Sequence, residues 1–240
     1  MTTQADTAAP ARDGRHARWA EHRATRRRDL VEHTLRAIRI HGPGVGMDEI
    51  AAQAGTSKPV LYRHFGDRNG VYLGVVEAVD ARVLAELSAV ADRSGHAPDG
   101  APADVTELIR AMVSAYLELV QRDPDIYRFV VTRPLLQATH PGAPGVDAAG
   151  TLTGRIGDRL AEILAAHLRR CGRDPAPAVT WGHGIAGFVR AATDQWVSHR
   201  PPGTSADTVT AEVIQMLRPA LQSPQPDAAR LNDAAAKEKS

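Results

Sequence analysis

Lys58, Val60, Tyr62 and His64 lie within one eight-residue stretch, KPVLYRHF, residues 58–65. They supply an ammonium, an aliphatic methyl surface, a phenolic hydroxyl and an imidazole. On a helix these four point outward, while Leu61 and Phe65, spaced i and i+4, share the opposite apolar face. A short helix anchored on one side and carrying donors on the other suits insertion into a DNA major groove. Lys58 opens that helix, and Arg68 opens the next one. Free N–H groups at helix N-termini already favour a phosphate. Val60 can touch a thymine methyl. Most such contacts fix register on the duplex, and few read bases.

Other elements must hold this helix in place. Upstream, Ile50, Ala51 and Ala54 repeat at helical spacing, and Gly55-Thr56-Ser57 interrupts the pattern. Gly55 can take the positive φ that stops one helix, Ser57 can cap the next, and Pro59 falls in a first turn, where a missing N–H costs little. Residues 46–65 therefore read as a helix-turn-helix. A bracing helix precedes it, about Arg26–His41, with Leu30, Thr34, Leu35, Ile38 and His41 at 3–4 residue spacing and a stop at Gly42-Pro43-Gly44. A long helix follows, about Arg68–Asp92, with Asp67 placed to cap it.

The rest of the chain also has helical periodicity. Helices are expected at about Asp104–Arg122, Pro124–Ala138 with a kink or break at Pro134, Thr151–Cys171, Pro177–His199 and Ala206–Leu221. Residues 94–103 and 139–149 read as loops. No segment alternates apolar and polar residues, so the fold class is all-α: a three-helix front module joined by a long helix to a helical bundle. The division expected is an irregular basic arm over 1–23, the helix-turn-helix domain over 24–84, a second domain over 85–221 and a disordered tail over 222–240.

Composition bounds the chemistry. The 240 residues have a net charge of +1, but residues 1–28 hold seven arginines against Asp6, Asp13 and Glu21. That arm is read either as a solvated tail or as a phosphate or minor-groove contact. A single cysteine, Cys171, allows no disulfide within the chain and no Cys zinc site. The N-terminus lacks an apolar signal region, and no apolar run is long enough to cross a bilayer, which reads as a cytoplasmic protein without a membrane partner. No metal is expected, since no histidine pair has ligand spacing with a carboxylate. No cofactor is expected either, because no phosphate-binding loop or nucleophile elbow occurs. Enzymatic activity is therefore not expected.

Two runs in the front module are specific: Ile50-Ala51 through Ala54-Gly55 to Ser57-Lys58, and Leu61-Tyr62-Arg63-His64-Phe65. Together with the flanking helices, they make residues 24–84 resemble the N-terminal domain of TetR-family transcriptional regulators. The resemblance implies a homodimer on a palindromic DNA operator, released when a small molecule binds the second domain. It assigns DNA contacts to Lys58, Pro59, Val60, Tyr62, His64 and Arg68. Two positions depart from the family pattern. Gly46 stands where a Thr or Ser cap is usual, and Gly70 where a better helix former is usual, at a cost of up to about 1 kcal/mol.

Helices about 177–199 and 206–221 are the expected homodimer faces, because Gly182, Gly184 and Gly187 would let another helix approach closely. A hydrophobic or amphipathic effector is expected among Tyr116, Tyr127, Phe129, Trp181, His183 and Phe188, each of which could instead be ordinary core. Arg128 or Arg133 could pair with an anionic group. The alternative function is a DNA-binding regulator or architectural factor that has no effector.

Overall fold

The computed structural model describes residues 13–94, 104–132, 148–199 and 203–222. Their regular structure is entirely α-helical. The helices are α1 (Asp13–His41), α2 (Met47–Gln53), α3 (Lys58–Phe65), α4 (Arg68–Ser94), α5 (Val105–Arg122), α6 (Pro124–Thr132), α7 (Ala148–Arg170), α8 (Ala178–His199) and α9 (Ala206–Gln222).

Two bounds differ from the sequence expectation. α1 begins at Asp13, not near Arg26, so residues 13–23 are helical rather than irregular. Apolar periodicity reports burial, and the first buried side chain of α1 is Leu30. Residues 13–29 contain one glycine and no proline, and are rich in Ala and Arg, so they form helix without an apolar stripe to announce it. Residues 1–12 of the expected arm, and the tail beyond 222, lie outside the described residues.

The second difference is α6, which ends at Thr132 instead of continuing to Ala138. In a continuing helix the Val130 carbonyl would accept from residue 134, but Pro134 has no N–H. Tyr72 on α4 supplies the donor instead: its hydroxyl donates to the Val130 carbonyl at 2.8 Å, in a buried setting. The Tyr72 ring also packs against Phe129, with centroids 5.7 Å apart. Tyr72→Phe should therefore destabilise the protein by about 1–3 kcal/mol, because it leaves a buried acceptor without its partner. Denaturant unfolding of the two proteins would measure this, and equal stability would show that the hydrogen bond is replaceable. The expected break at Pro134 itself lies outside the described residues.

The described residues form two compact units. The first takes α1, α2, α3, α4 as far as Ala81, and α6; the second takes α4 from Arg82, then α5, α7, α8 and α9. α6 thus groups with the front helices, whereas a linear division at 84/85 assigns it to the second domain. The first core is built from Leu30, Leu35, Ile38, Ile50, Leu61, Phe65, Val71 and Val75, all buried.

In the second unit, Asp104 caps α5 by accepting the Thr106 N–H at 2.6 Å. This bond to the charged form holds the Asp104 carboxyl below its ordinary pKa. α7 and α8 cross with their backbones in contact. A Cβ on Gly182 would stand 2.5 Å from the Ala161 nitrogen and 2.6 Å from the Gly157 carbonyl oxygen. The close approach expected at the glycines of α8 is therefore made by Gly182 within the chain. Gly184 and Gly187 are exposed with nothing within 4 Å.

Candidate nucleic-acid interface

Glycine breaks set the geometry of residues 46–65. Gly55 takes φ +58° and its N–H bonds the Ala52 carbonyl at 3.0 Å, turning the chain out of α2. Gly66, at φ +84°, ends α3 and donates to the Tyr62 carbonyl at 2.7 Å. Asp67 accepts the Gly70 N–H at 2.7 Å, as its position predicts. Ser57 occupies the N-cap position of α3 with an extended backbone, but its side chain makes no capping hydrogen bond. Its carbonyl instead accepts from Val60 and Leu61 at 3.0 and 3.2 Å. The Ser57 hydroxyl is exposed at the start of α3.

The two faces of α3 separate as their spacing dictates. Leu61 is 0% exposed and Phe65 7%. Lys58, Val60, Tyr62 and His64 are half-buried at their bases and reach solvent, and Pro59 and Arg68 are exposed. All six residues of the expected DNA surface are therefore accessible.

Two of the six have surroundings that residue spacing does not show. Lys58 Nζ pairs with Asp48 Oδ2 at 2.8 Å, a contact from the start of α3 to the start of α2. That bond raises the lysine pKa, so Lys58 is fully charged at neutral pH. His64 moves the other way. Burial, then the charges of Arg63, Arg26 and Arg27, lower its pKa and keep it neutral near pH 7. It offers a neutral N–H donor, not a cation, and a phosphate beside it would oppose that shift.

Three positioning features were not evident from the pattern. Arg27 lies over the Phe65 ring at 4.7 Å, donates to the His64 carbonyl at 3.4 Å and pairs with Glu77 at 3.6 Å. It ties α1 to the end of α3 and to α4, and its signal was its place one turn before Leu30 on the buried stripe of α1. His33 Nδ1 stands 2.8 Å from the Gln53 carbonyl. A carbonyl can only accept, so Nδ1 must carry the proton in this bond, and α1 thereby holds the end of α2. The third is Gly70 and Gly74, which seat Phe65 against α4.

Residues 30–75 match the family described as bacterial regulatory proteins, tetR family. Residues 96–229, more than half of the chain, match the tetracyclin repressor-like C-terminal domain. The chain belongs to the TetR family of transcriptional regulators. It is similar to the HTH-type transcriptional regulator Rv0472c of Mycobacterium tuberculosis, 34% identical over 200 residues, covering 81% of this chain and 76% of that one. It is also similar to the HTH-type transcriptional activator FasR of Mycolicibacterium smegmatis, 35% identical over 99 residues, 39% of this chain and 41% of that one. Its fold resembles FadR of Bacillus subtilis, solved in complex with stearoyl-CoA, with a TM-score of 0.56 at 13% identity, covering 79% of this chain and 96% of that one. As a member of this family the protein is a DNA-binding regulator, and α3 is its recognition helix. Among the described residues, no helix is long and apolar enough to cross a membrane.

The second unit of this TetR-family chain encloses an apolar cavity of about 40 Å³. Its walls include Leu87 on α4, Met112 and Tyr116 on α5, Ile156 and Leu160 on α7, and Ile185 on α8. Thr153 and Arg190 add polar atoms. Of the six residues expected at an effector site, Tyr116 lines this space. Phe129 is 1% exposed in the first unit's core, and Tyr127 is on the same helix, α6. Trp181 and Phe188 are half-buried on α8 away from the cavity lining, and exposed His183 bonds Asp158 at 3.1 Å. Of the two candidate anion partners, Arg128 pairs with Asp125 at 3.3 Å and Arg133 lies outside the described residues.

Proposed function

We propose that this protein is a homodimeric repressor that binds a palindromic operator through paired copies of α3 and leaves it when an amphipathic effector enters the second unit. The observation that carries the effector reading is the apolar cavity with Tyr116, Thr153 and Arg190 on its walls. At about 40 Å³ it is far smaller than the roughly 300 Å³ at which ligand pockets begin. A ligand can enter only by parting the walls, and this is what couples occupancy to shape. One of those walls is Leu87 of α4, the helix that starts at Arg68 beside α3. Displacing α4 would change the spacing of two recognition helices, which must stand about 34–36 Å apart to enter successive major grooves.

A shallow groove of about 350 Å³ shares Leu87, Met112 and Ile156 with the cavity and carries Arg155 and Arg159. A chain with an acidic head group fits that sequence of surfaces, with its tail inward and its head at the arginines. The stearoyl-CoA bound to Bacillus subtilis FadR has this chemistry. The dimer is assigned to the exposed faces of α8 and α9, where Val179 and Met216 are 62% and 67% exposed.

The test is release from DNA. A selected operator duplex should lose the parent protein as stearoyl-CoA is added, and Val113→Trp, which fills the cavity, should keep DNA binding and lose most of that response. Overpacking should cost about 1–3 kcal/mol of stability, so folding is checked by circular dichroism. A folded Val113→Trp protein that still responds fully would place the effector elsewhere. No response in the parent would remove acyl thioesters from consideration.

A further inference from the structure

The first seventeen residues of α1, 13–29, precede its first buried side chain, Leu30. They also precede residue 30, where the family's DNA-binding match begins. At 1.5 Å per residue they form about 25 Å of helix. This segment holds six arginines, 15, 18, 23, 26, 27 and 28, against Asp13 and Glu21. Trp19 is 66% exposed, and His22, Arg23 and Arg28 are exposed as well.

The register of the helix orders these groups. Trp19, Arg23, Arg26 and Arg27 precede Leu30, Val31 and Thr34 at helical spacing, so they continue the stripe that packs into the core. At Arg27 that stripe still has a partner, the Phe65 ring and the His64 carbonyl at the end of α3. At Arg23 and Trp19 it runs on exposed. The charges of Arg26 and Arg27 are felt at His64, so this basic stripe is electrostatically continuous with the recognition helix. A helix this short that buries nothing is marginal by itself, and its arginines repel one another. A polyanion lying along it would relieve that repulsion, and the exposed Trp19 can pack on a sugar–phosphate surface.

We infer that residues 13–29 of α1 form a second DNA-contact element, running along the phosphate backbone beyond the end of α3. The occupant is the duplex that α3 reads, because the stripe begins where α3 ends and carries the complementary charge. This rests on α3 being the DNA-reading helix.

The experiment compares the full chain with an Arg15→Ala/Arg18→Ala/Arg23→Ala variant and with Trp19→Ala. The probes are a duplex selected by the parent chain from a random pool and an unselected duplex. Each neutralised phosphate contributes about 0.9 to the slope of log affinity against log salt. The triple variant should lose about 2–3 of that slope on both duplexes, and its hydroxyl-radical footprint should shorten at both ends with the centre unchanged. Trp19→Ala should weaken binding several-fold with little change of slope. A parent that binds DNA while the triple variant keeps its slope and footprint overturns the inference and leaves the reading of α3 intact. A parent that selects no duplex overturns both. A change of oligomeric state in sedimentation, with an unchanged salt slope, would assign the stripe to a second copy of the chain and overturn the DNA assignment.

Discussion

Lys58→Ala combined with Tyr62→Ala is expected to lower affinity for a selected operator by at least about a hundredfold. The two side chains sit at i and i+4 on the open face of α3, so a helix seated in the groove presents both to one strand. Neither is buried, and the apolar side of α3 is carried by Leu61 and Phe65, so the variant should unfold with the parent. The salt slope should fall by about 0.9 for the lost lysine contact. Asp48 gives the opposite control. It is 80% exposed and holds Lys58 at 2.8 Å, so it both competes with phosphate for the ammonium and repels the backbone. Asp48→Asn should therefore strengthen binding while Lys58→Ala weakens it. Fluorescence anisotropy at several salt concentrations measures all three proteins. A folded double variant that binds like the parent would show that α3 is not the reading helix.

Exposed and buried faces were legible wherever one helix stripe decided them. Leu61 and Phe65 against Lys58, Tyr62 and His64 is such a case, since the spacing alone separates core from surface. Gly42, Gly55, Gly66 and Gly172 end helices at positive φ, again a local requirement. Pairings between distant residues were not legible. Nothing near Lys58 in sequence announces Asp48, and nothing near Val130 announces Tyr72, because three-dimensional closure selects those partners. The start of α1 was hidden for another reason: a helix with no buried stripe leaves no period to detect. The effector candidates illustrate the same limit. An aromatic residue on an apolar stripe can line a cavity, as Tyr116 does, or fill a core, as Phe129 does. Which of these occurs depends on the helix it faces.

Gly70→Ala is expected to destabilise the protein by about 1–3 kcal/mol and to weaken DNA binding, although intrinsic helix propensity favours alanine by about 1 kcal/mol. The sign reverses because of what lies beside the position. A Cβ on Gly70 would collide with the carbonyl oxygen of Phe65, and would stand 2.8 Å from its carbonyl carbon. These are backbone atoms in the last turn of α3, fixed on one side by the positive-φ turn at Gly66 and on the other by the buried Phe65 ring. They cannot rotate away, so α3 and α4 must separate. Gly74, one turn further on, gives the contrast. Its added Cβ meets the Phe65 ring edge at 2.9 Å and Val31 Cγ2 at 3.4 Å, side-chain atoms that can shift by a few tenths of an ångström. Gly74→Ala should therefore cost less than Gly70→Ala. Urea midpoints give the order of stability, and anisotropy gives the DNA effect. Moving the end of α3 re-aims Tyr62 and His64, so affinity should fall with stability at Gly70. A Gly70→Ala protein that is more stable, with unchanged affinity, would mean that the α3–α4 junction yields freely and that glycine at this position only weakens the helix.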